Sequence, residues 1–154
     1  VSLDQSFIGR EYPPSAPYEV GREKIREFVA AIGESSPLCT DPEAAKAAGY
    51  PDVIAPPTFA VLLSMPAQDI LTGDPQLGLD YSRVVHGQQD FVHHRPIRAG
   101  DELVTVVHVD DIKTRAGNDF LTVRAEIGTP AGEAVCTAKS MLVARGTAEE
   151  GEQA

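Results

Sequence analysis

The chain has 154 residues, a formal charge of −10, and 42% hydrophobic against 23% charged residues. That length suits one domain with a sizeable core, and the composition excludes a wholly disordered chain. The acidic excess excludes nucleic-acid binding, which needs clustered Lys and Arg to neutralise phosphates.

Residues 1–17 carry Pro13, Pro14 and Pro17 and read as an irregular lead-in, with room for a short edge strand around Tyr18 to Val20. From Arg22 to Ile32 the apolar residues Ile25, Phe28, Val29 and Ile32 recur at helical spacing, which predicts an amphipathic helix stopped by Gly33. The polar stretch G-E-S-S-P-L-C-T-D-P follows. Asp41 and Pro42 then offer an N-cap and first residue for a short helix through Ala48, ended by Gly49.

The run Ile54 to Leu71, I-A-P-P-T-F-A-V-L-L-S-M-P-A-Q-D-I-L, is apolar and uncharged until Asp69. Its apolar residues fall on every helical face, which predicts a buried core helix rather than a surface one. At about 1.5 Å per residue it is too short to span a membrane. Pro57 suits its first turn, whereas Pro66 should kink or locally open it.

A strand from Arg83 to Val92 comes next; strict alternation puts His86, Gln88 and Asp90 on one face and Val85, Gly87, Gln89 and Phe91 on the other. Leu103 to Val109, Leu121 to Ile127 and Val135 to Val143 read as strands, joined by the turn signals A-G-N-D and T-P-A-G-E into an antiparallel meander. The domain is expected over 1–146, with an acidic, fraying tail over 147–154. The fold class is α+β: a sheet with one apolar face curls around the buried helix, and a dimer completes what one chain cannot cover. Cys39 and Cys136 lack any CxxC or ligand-like spacing, and no apolar leader precedes the domain, so a reduced, cytoplasmic protein is expected.

Three blocks then carry a resemblance to the hot-dog fold and, within it, to the MaoC-like (3R)-hydroxyacyl dehydratases and enoyl hydratases. G-E-S-S-P-L-C-T-D at Gly33 to Asp41 stands where that family shows G-D-x-N-P-(apolar)-H. G-Y-P-D-V-I-A-P-P-T-F at Gly49 to Phe59 stands where it shows a stretch ending I-A-H-G. F-V-H-H-R-P-I-R-A-G-D-E-L at Phe91 to Leu103 matches its F-x-x-P-(V/I)-x-x-G-D-x-L. The resemblance implies a site in which an Asp and a His move protons on a 3-hydroxyacyl thioester while a backbone N–H at the helix start polarises its carbonyl.

The dyad positions here hold Glu34 and Cys39, and a thiol titrating near about 8.5 is a poor proton shuttle at neutral pH. Pro56 and Pro57 replace the His-Gly pair, so the first N–H donors are Thr58 and Phe59. These departures are similar to the non-catalytic HadA- or HadC-like subunits and to the N-terminal halves of double-hot-dog dehydratases. By that resemblance the chain is an accessory, acyl-channel subunit of a (3R)-hydroxyacyl-ACP or -CoA dehydratase of the fatty-acid-elongation type, inactive or feeble alone. Its expected partners are a HadB-like catalytic subunit or a second copy of itself, and acyl-ACP or acyl-CoA, with no cofactor. Candidate substrate contacts are Cys39, Pro57, Thr58 and Phe59; candidate contacts to a carrier or its phosphate are Arg95 and Arg98. No metal site is expected, because His93 and His94 are strand neighbours pointing to opposite faces. The alternatives are a stand-alone homodimeric acyl-thioester-binding or regulatory protein, and a thioesterase using Glu34.

Overall fold

The structure, a computed structural model, describes residues 2–147. Of the expected tail only Thr147 falls within it: Thr147 is buried, and its hydroxyl donates to Asp119 at 2.8 Å. Residues 148–154 lie outside the described residues.

Helix α1, Arg22–Ile32, ends where Gly33 turns left-handed at φ 71°, a conformation that costs glycine nothing. Helix α2, Pro42–Ala47, starts on the Asp41 carboxylate, which accepts the Glu43 N–H at 3.0 Å. The expected central helix opens as a tight 3₁₀ turn, Pro57–Ala60, and continues as α3, Val61–Thr72, with Pro66 inside it. The strands are β1 Tyr18–Glu19, β2 Val84–His93, β3 Glu102–Arg115, β4 Asn118–Gly128 and β5 Ala134–Ala144. They form one five-stranded antiparallel sheet in the order β1-β3-β4-β5-β2. Curled around α3, this is the α+β, hot-dog arrangement the sequence led us to expect.

Two clusters fill the space between sheet and helix. One joins Ile25 and Val29 of α1 to Phe59, Leu63 and Leu103, and the other packs Leu71 and Leu77 against Val109, Leu121 and Val123. Each such side chain taken fully from water stabilises the fold by roughly 1.5–3 kcal/mol.

Three expectations need correction. First, the lead-in is not merely irregular. Its Gly9, Tyr12 and Ser15 N–H groups donate to carbonyls of β3, while Leu3, Phe7 and Tyr12 are buried. It therefore shields much of the β3 flank beyond the two-residue β1, at spacings the prolines keep from becoming a regular strand. Second, α3 is not covered on all sides. Leu63, Ser64, Gln68 and Leu71 face the sheet, but Met65 and Ile70 are 41% and 51% exposed. Third, the faces of β2 are not set by strict alternation. His86 pairs with Leu142 and Gln88 with Met141, so Gly87 is an extra, bulged residue. Residues opposite each other in an antiparallel pair share a face; His86 therefore lies with Gln89, Phe91 and His93 on the inner side, and Gln88 and Asp90 face outward. A side chain on Gly87 would press on Met141 Cε at 3.1 Å and Val143 Cγ2 at 3.2 Å.

Candidate functional site

The three sequence blocks meet at the start of the central helix. The Ile54 N–H donates to Leu38 O at 3.0 Å, which ties the second block to the first. The Ala55 N–H donates to Ile97 O at 2.7 Å and the Ala99 N–H to Val53 O at 3.0 Å, which ties it to the third. These bonds fix the strand-like approach of residues 53–55, after which Pro56 and Pro57 turn the chain into the helix.

In the first block, Glu34 Oε1 accepts the N–H groups of Ser35 and Ser36 at 2.8 and 2.9 Å. The Ser36 hydroxyl in turn accepts the Leu38 N–H at 3.3 Å and starts the 3₁₀ turn Pro37–Cys39. The carboxylate thus organises its own loop. Cys39 is buried at 4% exposure within the cluster that includes Phe59. Burial, and secondarily the charge of Glu34, pushes its thiol pKa up, so sulfur keeps its proton at neutral pH.

In the second block, Pro57 and Thr58 are exposed at the rim, whereas Phe59 is completely buried and meets the edge of Phe28 with ring centroids 5.5 Å apart. Phe59 therefore anchors the start of the helix in the core. Its N–H is spent on Pro56 O at 2.9 Å. The N–H of Thr58 is left as the donor at the mouth, with no acceptor among the described residues.

In the third block, Arg95 is committed to the fold. Its guanidinium grips both carboxylate oxygens of Asp101 at 2.8 and 2.9 Å, meets Glu133 at 2.5 Å and reaches Pro96 O at 2.9 Å. The hydrogen bonds to Asp101 raise the guanidinium's already high pKa further. Through these bonds Arg95 clamps the turn, with its donors turned into it. Arg98, one-third exposed with Nε 4.0 Å from Asp101, keeps donors to spare, and its backbone pairs with Ile54 beside the mouth.

Two further groups escaped the sequence pattern. His93 Nε2 lies 2.8 Å from Pro57 O and 3.9 Å from Cys136 Sγ, while its Nδ1 is buried with no partner among the described residues. Gln68 of α3 and Ser140 of β5 are buried and hydrogen-bonded to each other, at 3.1 and 3.3 Å. Neither pairing follows a local period. A cavity of about 120 Å³ beside α3 is lined by Met65, Gln68, Tyr81 and His86 among others. A broader groove of about 520 Å³ lies on the sheet's outer side, around Lys113, Phe120 and Met141, on the face opposite the mouth. No cluster of three His, Cys, Asp or Glu among the described residues is placed to hold a metal ion, and no helix there is long and apolar enough to cross a membrane.

Residues 6–138 match the family described as FAS1-like, dehydratase domain region. Similar curated sequences include a UPF0336 protein of Saccharopolyspora erythraea, 80% identical over 99% of this chain and 99% of its own length. A UPF0336 protein of Streptomyces coelicolor is 58% identical over 97% and 99%. Among solved structures, a MaoC-like dehydratase superposes with TM-score 0.85 and 35% identity over 92% of this chain, which spans 43% of that longer one. The C-terminally truncated HadBC (3R-hydroxyacyl-ACP dehydratase) complex from Mycobacterium tuberculosis gives TM-score 0.81 and 30% identity, over 93% of this chain and 99% of its counterpart.

Proposed function

Because this chain belongs to the FAS1-like dehydratase-region family, we propose that it is the accessory, acyl-channel subunit of a (3R)-hydroxyacyl-ACP or -CoA dehydratase, without an acid–base dyad of its own. Dehydration takes a proton from C2 of the thioester, moves the C2 electron pair into the new double bond, and expels the C3 hydroxyl as water after it gains a proton. Two groups that exchange protons near neutral pH must flank those carbons. The observation that carries the proposal is the state of Glu34 and Cys39: one oxygen of the exposed carboxylate holds two backbone N–H groups of its own loop, and the thiol is buried and keeps its proton.

The subunit's own contribution is binding surface. Pro57 and Thr58 offer an exposed rim to the acyl thioester, and Arg98 offers a guanidinium to a phosphate of the carrier or of CoA. The bare face of α3, with Met65 and Ile70, and the free edge of β2 await a second hot-dog subunit that brings Asp and His. The HadBC likeness supports a two-subunit assembly, and the length of the MaoC-like dehydratase leaves room beyond the matched part for a second unit of this size. The assembly works in the cytoplasm as a lyase of fatty-acid-elongation type.

Hydration of crotonyl-CoA and longer enoyl thioesters tests this, using the purified chain alone and mixed with a HadB-like subunit. Activity in the mixture only is the expected result. Robust hydration by the chain alone overturns it, and thioester hydrolysis without hydration replaces it with a thioesterase.

A further inference from the structure

We propose that the cavity beside α3 receives the far end of an acyl chain bearing a hydroxyl group remote from the reacting carbons, which makes hydroxylated acyl thioesters the substrate class. The proposal rests on the acyl-channel reading above and names what the channel selects.

The cavity, of about 120 Å³, is lined by α3, by the turn at Tyr81 and by the start of β2. At about 30 Å³ for each water-sized group it holds roughly four such groups, the end of a chain rather than a whole one. Its wall is not that of a hydrocarbon pocket. Met65 and Leu142 supply apolar surface, but Gln68, Asp69, Tyr81 and His86 line it as well. The side chains of Asp69, Tyr81 and His86 have no hydrogen-bond partner among the described residues, so their donors and acceptors are free for what enters.

Gln68 is the most informative of these. It is 5% exposed, and its amide meets Ser140 at both ends: the nitrogen donates to Oγ at 3.1 Å and the oxygen accepts the hydroxyl at 3.3 Å. A primary amide carries two N–H groups, and only one of them is used by Ser140. The second has no acceptor among the described residues. Apolar groups of the same shape would replace such a pair at almost no cost in stability, so packing alone does not call for it. The polar row also continues past the cavity. Ser64, one turn earlier on the same face of α3, is fully buried, and Gln89 lies opposite Ser140 on β2; Ser64 Oγ and Gln89 Oε1 are both unpartnered among the described residues.

A hydroxyl is the group that matches this wall. It accepts from the spare N–H of Gln68 and donates to the Asp69 carboxylate, which only accepts. A methyl end would strip water from these groups and return no hydrogen bond, a loss by which sites discriminate between substrates. A carboxylate end would be repelled by Asp69. Access agrees with the division of labour between subunits. Met65, 41% exposed, belongs both to the cavity wall and to the bare face of α3, so the cavity opens toward the place of the catalytic subunit. A chain whose thioester lies at the partner's Asp and His enters from that side without passing Pro56 and Pro57.

The test mixes this chain with the HadB-like subunit and measures hydration of two series of trans-2-enoyl-CoA of increasing length. One series ends in a methyl group, and the other carries a hydroxyl in its place. The native chain is compared with Gln68→Leu combined with Ser140→Ala, which removes the polar pair and leaves no orphaned partner. Where that double variant fails to fold, as judged by circular dichroism, Tyr81→Phe combined with His86→Leu, both at exposed positions, takes its place.

At the chain length that reaches the cavity, the native assembly is expected to favour the hydroxyl-ended substrate by roughly tenfold in kcat/KM, expressed in KM because the contact is remote from the reacting carbons. In the variant assembly that preference disappears. Equal or better hydration of the methyl-ended member at every length overturns the proposal while leaving the accessory assignment standing, and so does a preference that survives the variant. A native mixture that hydrates neither series overturns the accessory reading itself, and this proposal with it.

Discussion

Residues 34–39 and residues 95–101 are polar loops that flank the same approach segment, and each places charged side chains beside the helix mouth. In the 95–101 turn the charges serve the fold: Asp101 takes two guanidinium bonds from Arg95 and the Arg98 N–H, with Glu133 completing the cluster. In the 34–39 loop the carboxylate binds its neighbours' backbone, and the residue in the expected imidazole position is a buried thiol. The 95–101 turn thus spends its charges on the scaffold, whereas the 34–39 loop binds its own backbone with a carboxylate and buries a thiol. A fold persists when its buried ion pairs and packing persist, and acid–base chemistry needs two particular groups besides.

The contrast can be broken most forcefully at Asp101. Its side chain is 7% exposed and that of Arg95 is 16% exposed, so Asp101→Ala leaves a largely buried cation with Glu133 as its one carboxylate partner among the described residues. A loss of about 3–5 kcal/mol in urea denaturation is expected. Cys39→Ser should cost less, about 1–3 kcal/mol, because it exchanges a buried thiol for a hydroxyl with no evident partner. A native-like stability for Cys39→Ser would mean that the 34–39 loop opens to solvent.

The alkaline limb sharpens the same point without mutation. Cys136 is raised from 9.0 to about 11 by burial, so the folded protein holds that proton more tightly than the unfolded chain does. Its contribution is fully present below pH 9 and is lost as pH climbs from 9 through about 11, which denaturation across that range would register as falling stability. Glu34→Gln should change stability least, by under about 1 kcal/mol, since the amide oxygen can still accept the N–H groups of Ser35 and Ser36.

Local periodicity carried much of this fold. Ile25, Phe28, Val29 and Ile32 specify α1 through their spacing, and the alternation from Leu121 to Ile127 specifies β4 and its inner face. The misses share one physical origin, contacts between residues far apart in the chain. Gly87 looks like an ordinary strand glycine until its pairing with β5 reveals the extra residue, and that single insertion reverses the side on which His86 lies. Leu3, Phe7 and Tyr12 follow no regular period, so their docking on the sheet left no trace in the pattern. The apolar faces of α3 gave the helix its central place, but periodicity cannot say whether a face meets the sheet or a second subunit.

The site was legible in its residue types and illegible in its pairings. Glu34, Cys39, Pro56 and Pro57 are visible as departures from the resembled pattern by identity alone. Arg95, by contrast, shows the same letter whether it meets a phosphate or Asp101. The bond from His93 to Pro57 spans 36 residues and appears only when β2 lies against the start of the helix.

The central claim is that proton transfer belongs to the partner and binding surface to this chain. Its most direct measurement is enoyl-thioester hydration by the mixed assembly, made once with Glu34→Gln in this chain and once with the catalytic Asp of the HadB-like subunit changed to Asn. Hydration at the native rate in the first assembly and its collapse in the second is the predicted result. Collapse in the first, with the partner's Asp dispensable, would contradict the account.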